Sequence, residues 1–359
     1  MAIALLGAAV IAGNLVRVPY VLISPGDATE LDERVVSISG APNFQDSGAF
    51  LYLTVRVSNS DPSFWRYVFA KLDGDVTVSK REDTLGCASY AESASYQNLL
   101  MLESQQDAKT VALTRLGYEV VEESSHIVIT NVVCGSPSSG LLLPGDEVTA
   151  VDGSPVTLAE EVGPLVRSRA PGDQVRLTVR RDGVEQEVTV RAGHTTKDQA
   201  HPCVPGRGGP GDAQACVGIE GRDIPSRHFP FGIRIDTRRV SGPSAGLAFT
   251  LAIIDDLTDG SLTGGRRIAV TGQMLSDGTV APVGGVEQKA AVASRAGATL
   301  MLVPACPKPL KRNCEAKPAR EHADGMRVVM VDNIDDALAA LERAGGDPIP
   351  PRPEPATAQ

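Results

Sequence analysis

The chain opens on an almost unbroken apolar run, MAIALLGAAVIAGNLV, interrupted only by Asn14, and after Arg17 the run resumes as far as Ile23. At about 1.5 Å per helical residue the uncharged part is short for a bilayer crossing, whereas the whole run suffices if Arg17 snorkels to the interface. Residues 1–23 are therefore read as a membrane-directing segment. With no basic stretch ahead of it and no A-x-A site behind it, a retained signal anchor fits better than a cleaved leader. Beyond it, LYLTVRV (Leu51 to Val57) reads as a strand, and YQNLLMLESQQDAKTVALTRLG as a helix with apolar spacings of three and four, closed by Gly117. Between them the aromatic cluster Phe64, Trp65, Tyr67 and Phe69 reads as core or as a docking face.

From Ser124 to Gly193 the pattern shortens to HIVITNVV, a helical TLAEEVGPLVRSRA, and the alternating strands QVRLTVRRDG and VEQEVTVRAG joined through Asp182-Gly183. His194 to Ala215 has the composition of a loop or linker. The stretch Gly218 to Ile235 is expected to begin a further sheet, and an apolar-rich helical run covers Ser244 to Leu257. LMLVPA, RVVMV and the helix IDDALAALERAGG, capped near Asp332 and closed by Gly345, read as further α/β units. The tail from Asp347 is Pro-rich and is expected to be disordered.

A length of 359 residues provides for two or three domains, and a net charge of -10 argues against nucleic acid as a partner because no basic face offsets phosphate repulsion. Six cysteines (Cys87, Cys134, Cys203, Cys216, Cys306, Cys314) lack C-x-x-C spacing and have few histidines near them, so neither zinc nor another cofactor is expected. Cys203 with Cys216 and Cys306 with Cys314 bracket short loops, and disulfides there would fit an oxidising compartment. Sequence alone leaves the connectivity open.

Candidate chemistry sits in Gly242-Pro243-Ser244-Ala245-Gly246, where a serine lies between a strand-like run and a helix start. Free amides and the positive end of a helix dipole there favour a developing oxyanion. Pro243 has no N–H, so the Ser244 amide and a loop elsewhere must donate. A serine needs a base, and Lys289 follows on the first turn of an alanine-rich helix, VEQKAAVASRAGA. A desolvated lysine loses basicity, to roughly 7 to 8 in catalytic cases, and can then serve serine as its base. Gly-x-Ser-x-Gly also suits an α/β-hydrolase esterase, for which His322 is the one downstream histidine. No G-x-x-x-x-G-K-[ST] phosphate loop occurs.

GPSAG, a strand ending in Thr271-Gly272, a Gly-x-Val-x-Pro-Val-Gly-Gly run and a lysine four residues after its last glycine together resemble the proteolytic domain of the Lon peptidases. The resemblance implies Ser244 as nucleophile, Lys289 as general base and Thr271 as a supporting residue beside them; where ATP-dependent Lon often carries Asp ahead of the motif, this chain has Ser241. The run Gly140-Leu-Leu-Leu-Pro-Gly145-Asp146 with Val151-Asp152-Gly153 resembles PDZ domains attached to bacterial proteases, which implies recognition of extended peptides. The layout ahead of it is similar to that of secreted, ATP-independent Lon-like proteases.

The expectation is an α+β multidomain chain: a signal anchor over 1–23, a region over 24–123 preceding PDZ, a PDZ domain over 124–193, a linker over 194–217, a Lon-type α/β proteolytic domain over 218–346 and a disordered tail over 347–359. The function expected of it is ATP-independent serine endopeptidase action on flexible polypeptides, on the outer side of a membrane crossed once, with self-association as Lon-type domains imply. A non-catalytic PDZ scaffold is the rival from another class.

Overall fold

The structure is a computed structural model and describes residues 10–44, 47–199, 202–209, 211, 213–237, 240–305 and 316–349. Two compact units emerge, and the second is inserted into the sequence of the first: unit one takes Met1–Gly86, Leu100–Val120 and Phe229–Gln359, and unit two takes Cys87–Leu99 and Val121–His228.

Unit one is organised on a six-stranded sheet in the order Arg327–Val331, Leu300–Pro304, Arg267–Val270, Ala49–Val57, Tyr20–Glu30, Thr77–Lys80. The first four strands run parallel and the last two pair antiparallel. Alternation along the central strands sends side chains to two separate cores. Phe50, Tyr52, Ile268, Val270, Leu300 and Leu302 face the core that holds the helix Gly246–Leu257. Leu51, Leu53, Ala269, Met301 and Val303 face the other, with Val286, Ala290 and Ala293 of the helix Val286–Arg295. The two helices carrying the candidate chemistry therefore cover opposite faces of one sheet. The first of them is apolar nearly all round and is buried along most of its length, as a helix inside a core must be.

Several expected boundaries are corrected. The helix reaching back to residue 10 ends at residue 15, and Tyr20–Glu30 is a strand whose Val21 and Leu22 are buried in the sheet. Pro19 and the pairing of Tyr20–Ile23 with Thr77–Lys80 claim the second half of the apolar run for the fold. Among the described residues no helix is long and apolar enough to cross a membrane, and residues 1–9 lie outside them. The 24–123 region is not a separate layer, because its strands Tyr20–Glu30, Ala49–Val57 and Thr77–Lys80 complete the sheet of unit one. At the C-terminal end, Asp347 is tied down, its amide donating to Ser261 O at 2.8 Å and its carboxylate accepting from Ser261 N at 2.8 Å. Residues 350–359 of the expected tail lie outside the described residues.

Unit two is a sheet in the order Ile219–His228, Val121–Val132, Glu147–Val151, Gln174–Arg181, Val184–Arg191, over which Ile127, Ile129, Leu142, Val148, Val175 and Leu177 close a core. Ile219–His228 was expected to start the protease sheet and instead pairs antiparallel with Val121–Val132. The expected linker holds a small three-stranded sheet, Gly193–Thr195 between Cys203–Val204 and Ala215–Cys216. A Cys203–Cys216 disulfide ties its two outer strands, and a second bridge joins Cys87 to Cys134, a pairing that no short spacing announces. Cys306 and Cys314 lie outside the described residues.

Candidate active site

Ser244 lies half-buried in a single 3-10 turn, Pro243–Ala245, that leads into the helix Gly246–Leu257. Gly242 enters that turn at φ 92°, a conformation that glycine adopts without the cost a Cβ imposes. Gly246 is required for a different reason: a Cβ there would come within 2.8 Å of the Met274 amide nitrogen. The turn is pinned to the strand end by paired bonds, Gly272 N donating to Ser244 O at 2.8 Å and Leu247 N to Gly272 O at 3.1 Å. Gly246 N donates to Pro243 O. With those amides committed and Pro243 lacking one, the donors this turn can offer an oxyanion narrow to the amides of Ser244 and Ala245.

Lys289 comes from the opposite face of the sheet. Its helix starts at Gly285, whose left-handed φ of 70° turns the chain, and Lys289 N donates to Gly285 O at 3.0 Å. The side chain is 2% exposed, next to Ala290 and Ala293, which are fully buried on the same helix. Its Nζ donates to Thr271 Oγ1 at 3.1 Å. Thr271 is fully buried at the carboxyl end of the strand Arg267–Val270, and its hydroxyl donates to Ser244 O at 3.2 Å. One hydroxyl can accept from the amine and donate to the carbonyl at once, so a hydrogen-bonded chain runs from Lys289 through Thr271 to the backbone of Ser244. All three residues singled out by sequence are thus brought together, at the carboxyl end of parallel strands where α/β folds place their sites. Burial of an ammonium disfavours its charged form, which is the direction a lysine base requires.

Glu287, on the same turn, is turned to His322, whose Nε2 lies 3.4 Å from Glu287 Oε1. The other ring nitrogen, Nδ1, lies 3.0 Å from Pro318 O. With both nitrogens so engaged, His322 does not serve Ser244 as an esterase histidine would. Among the described residues no group of three or more His, Cys, Asp or Glu is arranged to hold a metal ion.

One positioning contact escaped the sequence reading. Ser104, on the helix Tyr90–Arg115, is 1% exposed, and its hydroxyl donates to Pro243 O at 2.8 Å. A serine among apolar positions of a helix was the available signal, and it is a common one with no chemistry of its own. Losing a buried hydrogen bond of this kind costs about 1 kcal/mol and would loosen the turn that presents Ser244. Ser104→Ala is expected to lower kcat roughly fivefold while leaving KM within about a factor of two, measured by steady-state peptide hydrolysis.

In unit two a cavity of about 540 Å³ lies between the helix Ala159–Arg167 and the edge strand Ile219–His228, lined by Ala159, Val162, Val166, Ile219, Glu220 and Gly221 among others. Asp223 of that strand accepts from the Ala159 amide at 2.8 Å, fixing the helix start beside it. An edge strand facing an apolar helix is the geometry that accepts an extended peptide by strand addition.

Comparison with known proteins matches two stretches of the chain to families. Residues 114–192 match the PDZ domain family, and residues 228–343 match the Lon protease (S16) C-terminal proteolytic domain. Similar curated proteins include the Lon protease of Campylobacter concisus, 39% identical over 97 residues that make up 27% of this chain and 11% of that one. The Lon protease of Clostridioides difficile is 37% identical over 108 residues, 29% of this chain and 13% of that one. The chain thus matches only about an eighth of the length of these relatives. Among solved structures, the PDZ domain of an SdrC-like protein from Listeria innocua is 21% identical, with a TM-score of 0.21, and covers 27% of this chain and 92% of that one. The edge strand Ile219–His228 lies beyond the PDZ match, and Ser104 lies ahead of both matches. A PDZ domain and a proteolytic domain of the Lon (S16) type are therefore both present in this chain, in that order along it.

Proposed function

We propose that the chain is a serine endopeptidase that cleaves flexible polypeptides without nucleotide. Ser244 Oγ attacks the scissile carbonyl and Lys289 takes the hydroxyl proton, then returns it to the leaving amine. The amides at the start of the Ser244 turn hold the oxyanion, and water, deprotonated in turn by Lys289, hydrolyses the acyl-enzyme. Thr271 keeps the amine aimed at the nucleophile's turn. The observation that carries this reading is the buried Lys289 Nζ bonded to Thr271 Oγ1, which is itself bonded to Ser244 O.

In this reading the PDZ unit delivers substrate, an extended segment adding to the outer edge of Ile219–His228 beside the helix Ala159–Arg167. The two disulfides support an oxidising, extracytoplasmic compartment, and the apolar N-terminal run supports attachment to a membrane. With no phosphate loop in this chain to drive unfolding, chains that are already unfolded suit it as substrates. The purified protein is expected to cleave an unstructured polypeptide such as reduced, alkylated casein with no ATP present, at a rate that ATP with magnesium leaves unchanged. Strong stimulation by nucleotide would contradict this reading.

A further inference from the structure

Large apolar side chains left in solvent are concentrated at one place in unit one. Ile11, Leu15 and Val16 are 63, 74 and 53% exposed, and Phe64, Phe69 and Leu72 of the helix Phe64–Leu72 are 40, 67 and 79% exposed. The two segments are joined: Phe64 N donates to Val16 O at 3.0 Å, Val18 N to Pro62 O at 3.1 Å, and Gly13 is buried against the Trp65 indole so closely that a Cβ would come within 2.7 Å of Trp65 Cε2. A helix on a sheet normally turns polar residues outward. This one turns Tyr67 and Ala70 inward, with Tyr67 against Tyr20 at 4.6 Å between ring centroids, and leaves Phe69 and Leu72 outside, with Trp65 one turn back from Phe69 and half-covered by Gly13.

We infer that the helix Phe64–Leu72 lies on a lipid bilayer, as a second membrane contact beside the N-terminal segment. This rests on the membrane attachment proposed above and extends it to an element of the folded unit. Three observations favour lipid over other occupants. The apolar sequence Ala2 to Ala9 leads directly into residue 10, so the chain enters the fold at this patch. Exposed cations border it, Arg17, Arg66 and Lys71, beside Asp61, Asp73 and the Arg295-paired Asp75, and basic side chains at the edge of an apolar face suit a headgroup layer. Phe64, Trp65 and Phe69 form an aromatic cluster, with ring centroids 5.3 and 6.5 Å apart, of the type that sits at membrane interfaces. Seated this way, unit one would lie against the membrane rather than hang from it on a tether.

Trp65 is the chain's one tryptophan, which makes the test direct. The full chain is mixed with vesicles of phosphatidylcholine and phosphatidylglycerol whose acyl chains carry bromine, and both co-flotation and tryptophan quenching are measured. The expected result is co-flotation with quenched emission, and quenching at least halved in Phe69→Asp/Leu72→Asp while that variant still co-floats and still hydrolyses peptide. Co-flotation with unquenched Trp65, or quenching unchanged in the variant, overturns the inference and leaves the N-terminal attachment standing. Absence of co-flotation overturns both. A lipid-free assembly that sedimentation shows in the native chain and not in the variant would assign the face to a second copy, and likewise overturn it.

Discussion

Lys289→Met is expected to abolish peptide hydrolysis, by at least about 100-fold in kcat, while the protein folds as well as or better than the native chain. The two halves of that result have separate causes. Methionine fills nearly the same volume as lysine and removes an amine that is 2% exposed, so the core keeps its packing and loses a costly polar group. The reaction loses the group that accepts the serine proton. Lys289→Arg is expected to fail as fully, since a guanidinium does not give up its proton, but with a lower melting temperature because a permanent charge is then buried. On the proposed mechanism the base works only as the neutral amine, so the rate is expected to fall as pH is lowered and to rise as the amine is freed. A Lys289→Arg protein with substantial activity would remove lysine from the role of base.

Thr271→Val is expected to cost roughly 10- to 100-fold in kcat with little change in KM. The hydroxyl is fully buried and holds two partners, Lys289 Nζ at 3.1 Å and Ser244 O at 3.2 Å. Replacing it with a methyl removes both of these bonds inside a dry site, although Ser244 O keeps the Gly272 amide, and the loss, about 0.5–1.5 kcal/mol for each bond, falls on the geometry of the reacting groups. Thr271→Ser, which restores the hydroxyl, is expected to recover most of the loss. If valine and serine behave alike, the hydroxyl is not what aligns Lys289, and Thr271 is only packing.

The candidate site was legible because its parts are local. Gly-Pro-Ser-Ala-Gly, the Thr271-Gly272 strand end and the lysine after Gly284-Gly285 each carry a backbone requirement readable over a few residues: a positive φ, a strand terminus, a helix start. What brings them together is also readable after the fact, since alternation along Ile268-Ala269-Val270 sends the two helices to opposite faces and leaves Thr271 between them. Chain topology was not legible in the same way. The strand Ala49–Val57 pairs with Arg267–Val270 across more than 200 residues, and nothing in either strand's pattern names its partner. Because of that pairing, the region ahead of the PDZ domain belongs to the sheet of unit one. Val21 and Leu22 show a related limit, because a short buried strand and the end of an apolar anchor have the same composition. The Gly/Pro-rich composition around Cys203 and Cys216 concealed strands of two or three residues, too short for alternation to register.

The central claim, that Ser244 is a nucleophile activated by Lys289, is tested most directly by covalent labelling. The full chain is treated with a fluorophosphonate and the adduct is located by peptide mass mapping, in the native protein and in Lys289→Met. The account predicts a single adduct on Ser244 in the native chain, formed faster as pH rises, and labelling at least about 100-fold slower in the variant. An adduct on another serine, or equal labelling of Ser244 with and without Lys289, would contradict it.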